Sequence, residues 1–344
     1  MLRIFFRLLT AAFVSGTWVL AQQPAQPDYT LKVDVPFAFV DVTVQDSAGN
    51  AINDLPQDAF ELYENGVPQQ IRYFSPVSAP YDTLLLFDRS GSTQDKWLLM
   101  QRAVAGFIAN LRPQDRIAIA TFDSELERQL NWTSDRQKAL LVLPKLIRPE
   151  RIGGTDFYGA VEQSLRREFA KPAGPAGRRA LVVMTDGRDT SIYKELMLHN
   201  RLLDPDEDRR YQRVLRTARI QRIPIYVIAF NTDRNLEPNT LGADEYVRLQ
   251  KIFPGSPLPQ RYLSGVRSRM EELAEVSAGR ILYPERLDDI VPLYQHMGRE
   301  LGTSYTLGYV SSNAQKDGSF RRIEVRAHDA ALRLTQSRNG YYAK

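Results

Sequence analysis

The sequence predicts an α/β protein built on a doubly wound, mostly parallel sheet with helices on both faces. Short apolar runs at residues 83–87 and 181–185 alternate with stretches of helical spacing, which is typical of parallel strands buried on both sides. The chain has 344 residues, 43% of them hydrophobic, and is long enough to bury a large core. Turn-rich strand patterns flank this region on both sides, so we expect a second, smaller β unit.

The N-terminal flank, residues 30–77, has the period-2 alternation of half-buried strands. Its apolar residues occupy odd positions up to Phe39 and even positions from Val40 onward. This change of phase predicts either a β-bulge at Phe39-Val40 or two strands that meet there. Asn65 and Gly66 mark a tight turn further along the flank.

The central region alternates strands with helices, and the C-terminal flank returns to strands. The predicted central strands cover residues 83–87, 116–122, 181–185, 224–229 and 280–283, and the predicted helices cover 94–111, 135–143, 157–169, 206–220, 265–277 and 287–302. The C-terminal strands are predicted at 304–310, 320–326 and 331–334. Residues 231–263 are rich in Pro and Gly and have no predicted structure, so they form either a recognition loop or a disordered insertion.

The composition excludes several classes of protein. The chain has no cysteine, which excludes disulfide scaffolds, thiolate zinc sites, iron–sulfur clusters and cysteine nucleophiles. The three histidines, His199, His296 and His328, are far apart in the sequence, which argues against a histidine metal centre or a Ser-His-Asp triad. The formal net charge is +4, and we expect the charges to be interspersed on the surface. No nucleic-acid partner is therefore expected.

The N-terminus has the pattern of an export signal. Arg3 and Arg7 make its start basic, residues 8–20 carry no charge, and small residues around Ala21 suit cleavage. Removing the two arginines leaves a net charge of +2. We expect a periplasmic or secreted bacterial protein.

An uncleaved N-terminal anchor is the alternative, because Phe5 and Phe6 lengthen the apolar run. Contact with a membrane is expected only in that case. The expected division of the chain is a signal peptide at 1–21, a spacer at 22–29, a β segment at 30–79, an α/β domain at 80–302 and a β segment at 303–344 that pairs with 30–79.

Three loops at the carboxyl ends of predicted strands carry oxygen-bearing side chains. The first loop is residues 88–92, the second is 153–156 and the third is 186–187. In a doubly wound sheet, ligands bind at this edge. Leaving Asp156 aside, the loops offer two carboxylates and three hydroxyls, which suit a hard cation such as Mg²⁺ and argue against zinc or copper.

The loops resemble the metal-ion-dependent adhesion site of von Willebrand factor A (VWA) domains. The five matching positions are Asp88, Ser90, Ser92, Thr155 and Asp186. The resemblance covers about residues 80–302 and implies a six-stranded sheet of order 3-2-1-4-5-6. Residues 58–66 and 340–343 are similar to an exported, acidobacterial VWFA-related family.

The resemblance also implies a role for each residue. Ser90 and Ser92 would bind the metal directly, Thr155 directly or through water, and Asp88 and Asp186 mainly through water. Mg²⁺ is the expected ion, with Mn²⁺ or Ca²⁺ as alternatives. One coordination position would stay open for a Glu or Asp carboxylate of a partner protein.

Two further side chains in these loops have open roles. We expect Arg89 to point into solvent, the alternative being that it steers an acidic ligand. We expect Asp156 to begin the following helix, the alternative being an added negative charge at the rim of the site.

The sequence favours a binding protein over an enzyme. It has no Gly-x-Ser-x-Gly elbow, no Walker A loop and no Gly-x-Gly-x-x-Gly, and no histidine lies close in sequence to the three loops. A structural scaffold with a purely stabilising metal is one alternative. A metal-assisted hydrolase is the other.

Overall fold

The computed structural model describes residues 37–147, 154–170, 178–199, 202–221, 223–230, 232 and 260–343. The predicted signal peptide and spacer, and most of the 231–263 insertion, lie outside the described residues. In the part that is described, the predicted α/β class is confirmed, because helices cover a central sheet of six strands. No helix among these residues is long and apolar enough to cross a membrane.

The strands are numbered along the chain. They are β1 (Phe37–Gln45), β2 (Phe60–Glu64), β3 (Val67–Gln69), β4 (Ile71–Ser75), β5 (Tyr81–Asp88), β6 (Arg116–Phe122), β7 (Leu126–Thr133), β8 (Arg178–Thr185), β9 (Ile225–Ala229), β10 (Arg280–Leu282), β11 (Ser304–Val310), β12 (Phe320–Ala327), β13 (Arg333–Gln336) and β14 (Gly340–Tyr342).

The α-helices are numbered in the same way. They are α1 (Trp97–Ala109), α2 (Arg136–Leu141), α3 (Phe157–Gln163), α4 (Thr190–His199), α5 (Arg209–Gln221), α6 (Gln260–Val276) and α7 (Ile290–Thr303). Short 3₁₀ helices precede α1 at Gly91–Lys96 and α7 at Leu287–Asp289, and a π-helical turn at Ser164–Glu168 continues α3.

The central sheet is mixed and has the order β10-β9-β8-β5-β6-β7. Numbered along the chain within this sheet, its strands read 3-2-1-4-5-6 from one edge. The pairs from β10 to β6 are parallel, whereas β7 is antiparallel to β6. Strand β7 was not predicted, although Leu126, Leu130 and Trp132 share one phase of a period-2 pattern.

Helices cover both faces of this sheet, which explains the continuous apolar runs in its strands. Leu84 and Leu86 of β5 face a cluster formed with α3, α5 and α6. Leu85 and Phe87 face a second cluster formed with α1, α2 and α7. Since every residue of β5 is buried, a polar side chain can reach a ligand only beyond the end of the strand.

Strands from before residue 80 and after residue 303 form two antiparallel four-stranded sheets. Their orders are β13-β1-β11-β4 and β14-β12-β2-β3. The two sheets share one hydrophobic cluster, to which β1 contributes Val42, β2 Leu62, β11 Leu307 and β12 Ile323. The chain therefore returns after α7 to a β-sandwich that it began before β5.

The expected irregularity at Phe39-Val40 is absent from β1. The strand pairs with β11 in one unbroken register from Phe37 opposite Val310 to Thr43 opposite Ser304. The two apolar phases lie on opposite faces of a single strand, since Val40 is buried in the sandwich while Phe39 packs edge-on against Tyr73 with ring centroids 5.4 Å apart. The prediction of a bulge or of two strands was therefore wrong.

Several predicted boundaries also differ from the structure. The helix predicted at 94–111 begins with a 3₁₀ turn, and the one at 157–169 ends in a π-helical turn. Helix α4 was not predicted. Helix α6 begins at Gln260, so the end of the predicted insertion is helical.

Basic residues are clustered on the exposed side of α5. Its exposed side carries Arg209, Arg210, Arg213, Arg216 and Arg219. Three of these arginines pair with acidic residues of neighbouring elements, namely Asp156, Glu162 and Glu272. The clustering arises because helical spacing places residues three and four apart on one face.

Buried polar contacts join the sandwich to the starts of the central strands. Arg178, the first residue of β8, donates to the carbonyls of Ser304, Val77 and Ala79. The Tyr226 hydroxyl of β9 donates to Asp41 Oδ2 at 2.8 Å. These contacts hold the amino ends of the central strands and leave their carboxyl ends at the opposite edge.

The shared core of the sandwich should be essential for stability. Leu307 is fully buried between β1 and β4, so Leu307→Ala should lower the free energy of unfolding by about 2–5 kcal/mol. Leu98→Ala on α1 is the control, because this side chain is 64% exposed and its loss should change stability by less than about 0.5 kcal/mol. Urea denaturation measures both, and equal effects would contradict the assignment of the core.

Candidate metal centre

Two carboxylates lie at the carboxyl edge of the central sheet. Asp88 is the last residue of β5, and Asp186 directly follows β8. The strands are parallel neighbours, with Phe87 opposite Met184, so both carboxylates emerge at the same edge. Both side chains are fully buried.

The first loop folds tightly around the Asp88 carboxylate. Asp88 Oδ1 accepts a hydrogen bond from the Ser90 amide at 2.9 Å, and Thr93 Oγ1 lies 3.0 Å from the carbonyl oxygens of both Asp88 and Ser90. Ser90 Oγ and Ser92 Oγ are 3.2 Å apart. The two hydroxyls therefore converge beside Asp88.

The second loop is attached to the start of α4. The Thr155 amide donates to Thr190 Oγ1 at 2.6 Å, and the Thr190 amide donates to the Thr155 carbonyl at 2.8 Å. A Cβ at Gly154 would lie 2.7 Å from Thr190 Oγ1, so this close approach favours glycine. Gly153 lies outside the described residues.

Asp156 has the role predicted for it. It is the N-cap residue of α3, and its Oδ1 accepts a hydrogen bond from the Gly159 amide at 2.9 Å. Arg210 of α5 donates to the same oxygen. The carboxylate of Asp156 is thus engaged in capping and in an ion pair.

The third loop leaves one carboxylate oxygen without a hydrogen bond. Asp186 Oδ1 accepts from the Arg188 amide at 3.1 Å, whereas the buried Oδ2 accepts no hydrogen bond within the described part of the chain. Arg188 Nε lies 3.5 Å from Oδ2. Gly187 has a φ of +71°, and a Cβ there would lie 2.3 Å from the sulfur of Met270, so this turn requires glycine.

Removal from water makes the charged form of Asp88 costly. Burial, and then the Asp186 carboxylate, raise the pKa of Asp88 to about 7, although the hydrogen bonds from Ser90 and Thr185 act in the opposite direction. The Thr185 hydroxyl donates to Asp88 Oδ2 and links the ends of β5 and β8. A bound cation would relieve the repulsion between the two carboxylates.

Arg89 does not point into solvent, and that expectation was wrong. Its side chain is completely buried, with Nη2 3.2 Å from Asp123 Oδ2 and 3.3 Å from Glu127 Oε2. The turn between β6 and β7 supplies Asp123, and β7 supplies Glu127. Because β7 was not predicted from the sequence, the two acidic partners of Arg89 were not predicted either.

The donor set fits a hard divalent cation. Its groups are carboxylates and hydroxyls, and Asp186 offers a buried oxygen that lacks a hydrogen-bond donor. Among the described residues there is no cluster of three or more His, Cys, Asp or Glu suited to a metal. A cation at this edge would therefore depend on the hydroxyls of Ser90, Ser92 and Thr155 as much as on the two carboxylates.

The structure brings the five predicted residues to one edge with different degrees of direct contact. Asp88, Ser90 and Ser92 form one hydrogen-bonded loop, and Thr185 links Asp88 to the start of the third loop. Thr155 is held there through Thr190. Thr190 and Asp123 were not predicted as site residues, although Asp123 directly follows a predicted strand, as Asp88 does.

A doubly wound sheet with oxygen-rich loops at its carboxyl edge defines a class of α/β ligand-binding domains. Residues 82–260, more than half of the chain, match the von Willebrand factor type A domain. The chain belongs to this family. Members often serve as metal-dependent adhesion or protein-interaction modules and bind a divalent ion at the metal-ion-dependent adhesion site.

Solved structures with a similar fold come from diverse sources. One is an aerotolerance-related membrane protein from Bacteroides fragilis NCTC 9343, with 18% sequence identity and a TM-score of 0.42. The match covers 64% of this chain and 98% of that protein's chain. A von Willebrand factor type A protein from Catenulispora acidiphila has 12% identity and a TM-score of 0.45, covering 90% and 72%.

A third structure is proximal thread matrix protein 1 from the mussel byssus, described with a zinc-occupied MIDAS motif. It has 12% identity and a TM-score of 0.44, covering 68% of this chain and 49% of its own. A comparison with curated proteins finds no significant match. The family assignment depends on the match over residues 82–260 and not on these structures.

The pKa of Asp88 predicts how the metal-free protein responds to pH. The ordinary value is 3.8 and the folded value about 7, so the unfolded state releases this proton first as the pH rises. The contribution of Asp88 to the free energy of unfolding should therefore fall between roughly pH 4 and pH 7 and then level off. Denaturation in EDTA at several pH values measures it.

Asp88→Asn is the control for this measurement. It cannot ionise and keeps an oxygen for the Ser90 amide, so the variant should gain stability relative to the wild type as the pH rises. Parallel pH profiles for the two proteins would contradict a strained carboxylate at this position.

Proposed function

We propose that the chain is an exported, non-enzymatic binding protein with a complete metal-ion-dependent adhesion site. In this proposal Ser90, Ser92 and Thr155 hold Mg²⁺ with support from Asp88 and Asp186. A Glu or Asp carboxylate of a partner protein completes the coordination of the ion. The proposal builds on the von Willebrand factor type A domain matched at residues 82–260.

The observation that carries the proposal is the pair of buried carboxylates. Two buried carboxylates at the ends of adjacent strands repel each other, and one keeps an oxygen that accepts no hydrogen bond although Arg188 Nε lies 3.5 Å from it. A divalent cation beside both carboxylates would compensate their charge more fully. The converging hydroxyls of Ser90 and Ser92 supply neutral oxygen ligands beside them. This combination is suited to a divalent cation and not to a structural ion pair alone.

The chain's own residues prepare the site for an anionic partner. Hydroxyl ligands add no charge, so two carboxylates leave a bound divalent ion without surplus negative charge around it. When bound, Mg²⁺ supplies an electrophilic position that takes an oxygen ligand in near-octahedral geometry. A carboxylate from a partner can take this open position on the ion, so metal and partner should each strengthen the binding of the other.

A binding role is favoured over hydrolysis by the surroundings of the loops. Hydrolysis would require a general base beside the ion, and histidine is the commonest one. His328 lies in the β-sandwich, with Nδ1 3.4 Å from Glu61, and His296 lies on α7. Neither of these two histidines belongs to the three loops, and the proposal assigns them no part in the site.

Export and the division of the chain belong to the same proposal. We infer cleavage after Ala21, giving a periplasmic or secreted protein in which residues 30–79 and 303–344 form one β-domain around the VWA domain. The pairing of β1 with β11 and of β2 with β12 supports this division. We also infer that the chain is a member of the acidobacterial VWFA-related family, because residues 58–66 and 340–343 are similar to that family.

The proposal makes a direct prediction for metal binding. Asp88→Ala should weaken Mg²⁺ binding at least tenfold, because losing a group that orients the metal ligands typically has about this effect. The circular dichroism spectrum of the variant should stay native. Asp54→Ala is the control, because it removes an exposed carboxylate from the β-sandwich and should leave affinity unchanged. Isothermal titration calorimetry with Mg²⁺ measures all three proteins.

Capture of a partner tests the second half of the proposal. Immobilised wild type and Asp88→Ala are exposed to envelope extract in Mg²⁺ and in EDTA, and only wild type in Mg²⁺ should retain a partner. Equal capture in all four conditions would refute the metal-bridged mechanism. Metal binding without capture would favour the scaffold, and metal-dependent hydrolysis of a substrate would favour the enzyme.

A further inference from the structure

Arg89 is a charged residue buried beside the first metal loop, where it pairs with the buried carboxylate of Asp123. Its side chain has no exposure to solvent, and only Nη2 contacts carboxylates, those of Asp123 and Glu127. Nε and Nη1 donate to no partner among the described residues. Burying a guanidinium in this way is costly, and apolar residues would stabilise such a position as well or better. Stability alone therefore does not account for an arginine at this position.

Asp123 contacts two of the three metal loops. Its Oδ2 accepts the hydrogen bond from Arg89, which is the second residue of the first loop. Its backbone carbonyl accepts a hydrogen bond of 2.7 Å from the amide of Asp156, directly after Thr155 in the second loop. A single residue of the β6–β7 turn thus holds both loops.

The β6–β7 turn is itself kept rigid by the same carboxylate. Asp123 Oδ1 accepts hydrogen bonds from the Glu125 amide at 3.1 Å and from the Ser124 hydroxyl at 3.3 Å. The Arg89 amide also donates to the carbonyl of Phe122 at 2.7 Å. Movement of the first loop would therefore shift the carbonyl that holds the second.

We propose that Arg89 and Asp123 are a positioning pair that sets the separation between the first loop, with Ser90 and Ser92, and the second loop, with Thr155. The inference rests on the proposed metal site. Mg²⁺ tolerates little deviation from octahedral geometry, so ligands from two loops serve only if their separation is held closely. Neither residue touches the ion in this scheme.

Glu127 provides a matched comparison within the same network. It also contacts Arg89, but it lies on β7, its side chain is 26% exposed, and the Gln129 side chain donates to the same oxygen at 3.2 Å. Its Oε2 accepts hydrogen bonds from Arg89 and Gln129, which both lie outside the second loop. Glu127→Gln should therefore disturb Arg89 without changing the position of Thr155.

The test uses Mn²⁺ as a paramagnetic probe of the full chain. Arg89→Met should weaken Mn²⁺ binding by about 10–100-fold in an electron paramagnetic resonance titration, as is usual when the support of a ligand is lost. Oxygen-17 relaxation should count one more water on the bound ion, because Thr155 no longer reaches it. Asp123→Asn should shift both quantities in the same direction, and Glu127→Gln should leave affinity within about twofold and the water count unchanged.

Metal-free stability, measured in EDTA, separates positioning from a merely structural role. A structural role would lower stability without changing the water count or the affinity of the folded protein, and that result would overturn the inference. Arg89→Lys, which keeps the charge but not the planar fork, should restore part of the affinity and replaces Arg89→Met if the latter does not fold. Wild type that binds no Mn²⁺ would refute the metal site itself, whereas wild-type binding with unchanged variants would refute only the positioning pair.

Discussion

The close approach of two carboxylates, Asp88 and Asp186, at the ends of adjacent buried strands is the constraint on which the rest of the structure depends. Neither side chain is exposed, and the repulsion between them helps raise the pKa of Asp88. Their hydrogen-bond donors are backbone amides and the Thr185 hydroxyl, which orient a carboxylate without neutralising it, and Arg188 Nε lies 3.5 Å from Asp186 Oδ2. The edge of the sheet is therefore held in a form that a cation would stabilise.

The opposite end of the sheet keeps this strained edge in place. Arg178 and the Asp41–Tyr226 contact attach the starts of the central strands to the β-sandwich. Both sheets of the sandwich combine strands from before and after the central region, so the chain is closed by antiparallel pairing at that end. The loops at the other edge can then carry unfavourable charge without loss of the fold.

The loops are positioned mainly by contacts between segments distant in sequence. Thr155 is held by Thr190, and Arg89 by Asp123, in each case 34 or 35 residues away. Such contacts form only when the strands that carry the loops are in register. The tertiary structure, more than any single loop, therefore maintains the geometry of this metal site, whose ligands are mostly neutral.

The sequence by itself determined the α/β class, most strands and helices, the VWA family and the five candidate ligands, because strand ends and residue order are local properties. It also determined that Asp156 caps α3, since capping involves residues a few positions apart. Only the tertiary structure decided that Arg89 is buried, that β1 is one unbroken strand and that β7 pairs antiparallel with β6. Each of these features depends on contacts with residues far away in the sequence. A local sequence pattern does not show which distant residues lie close together in space.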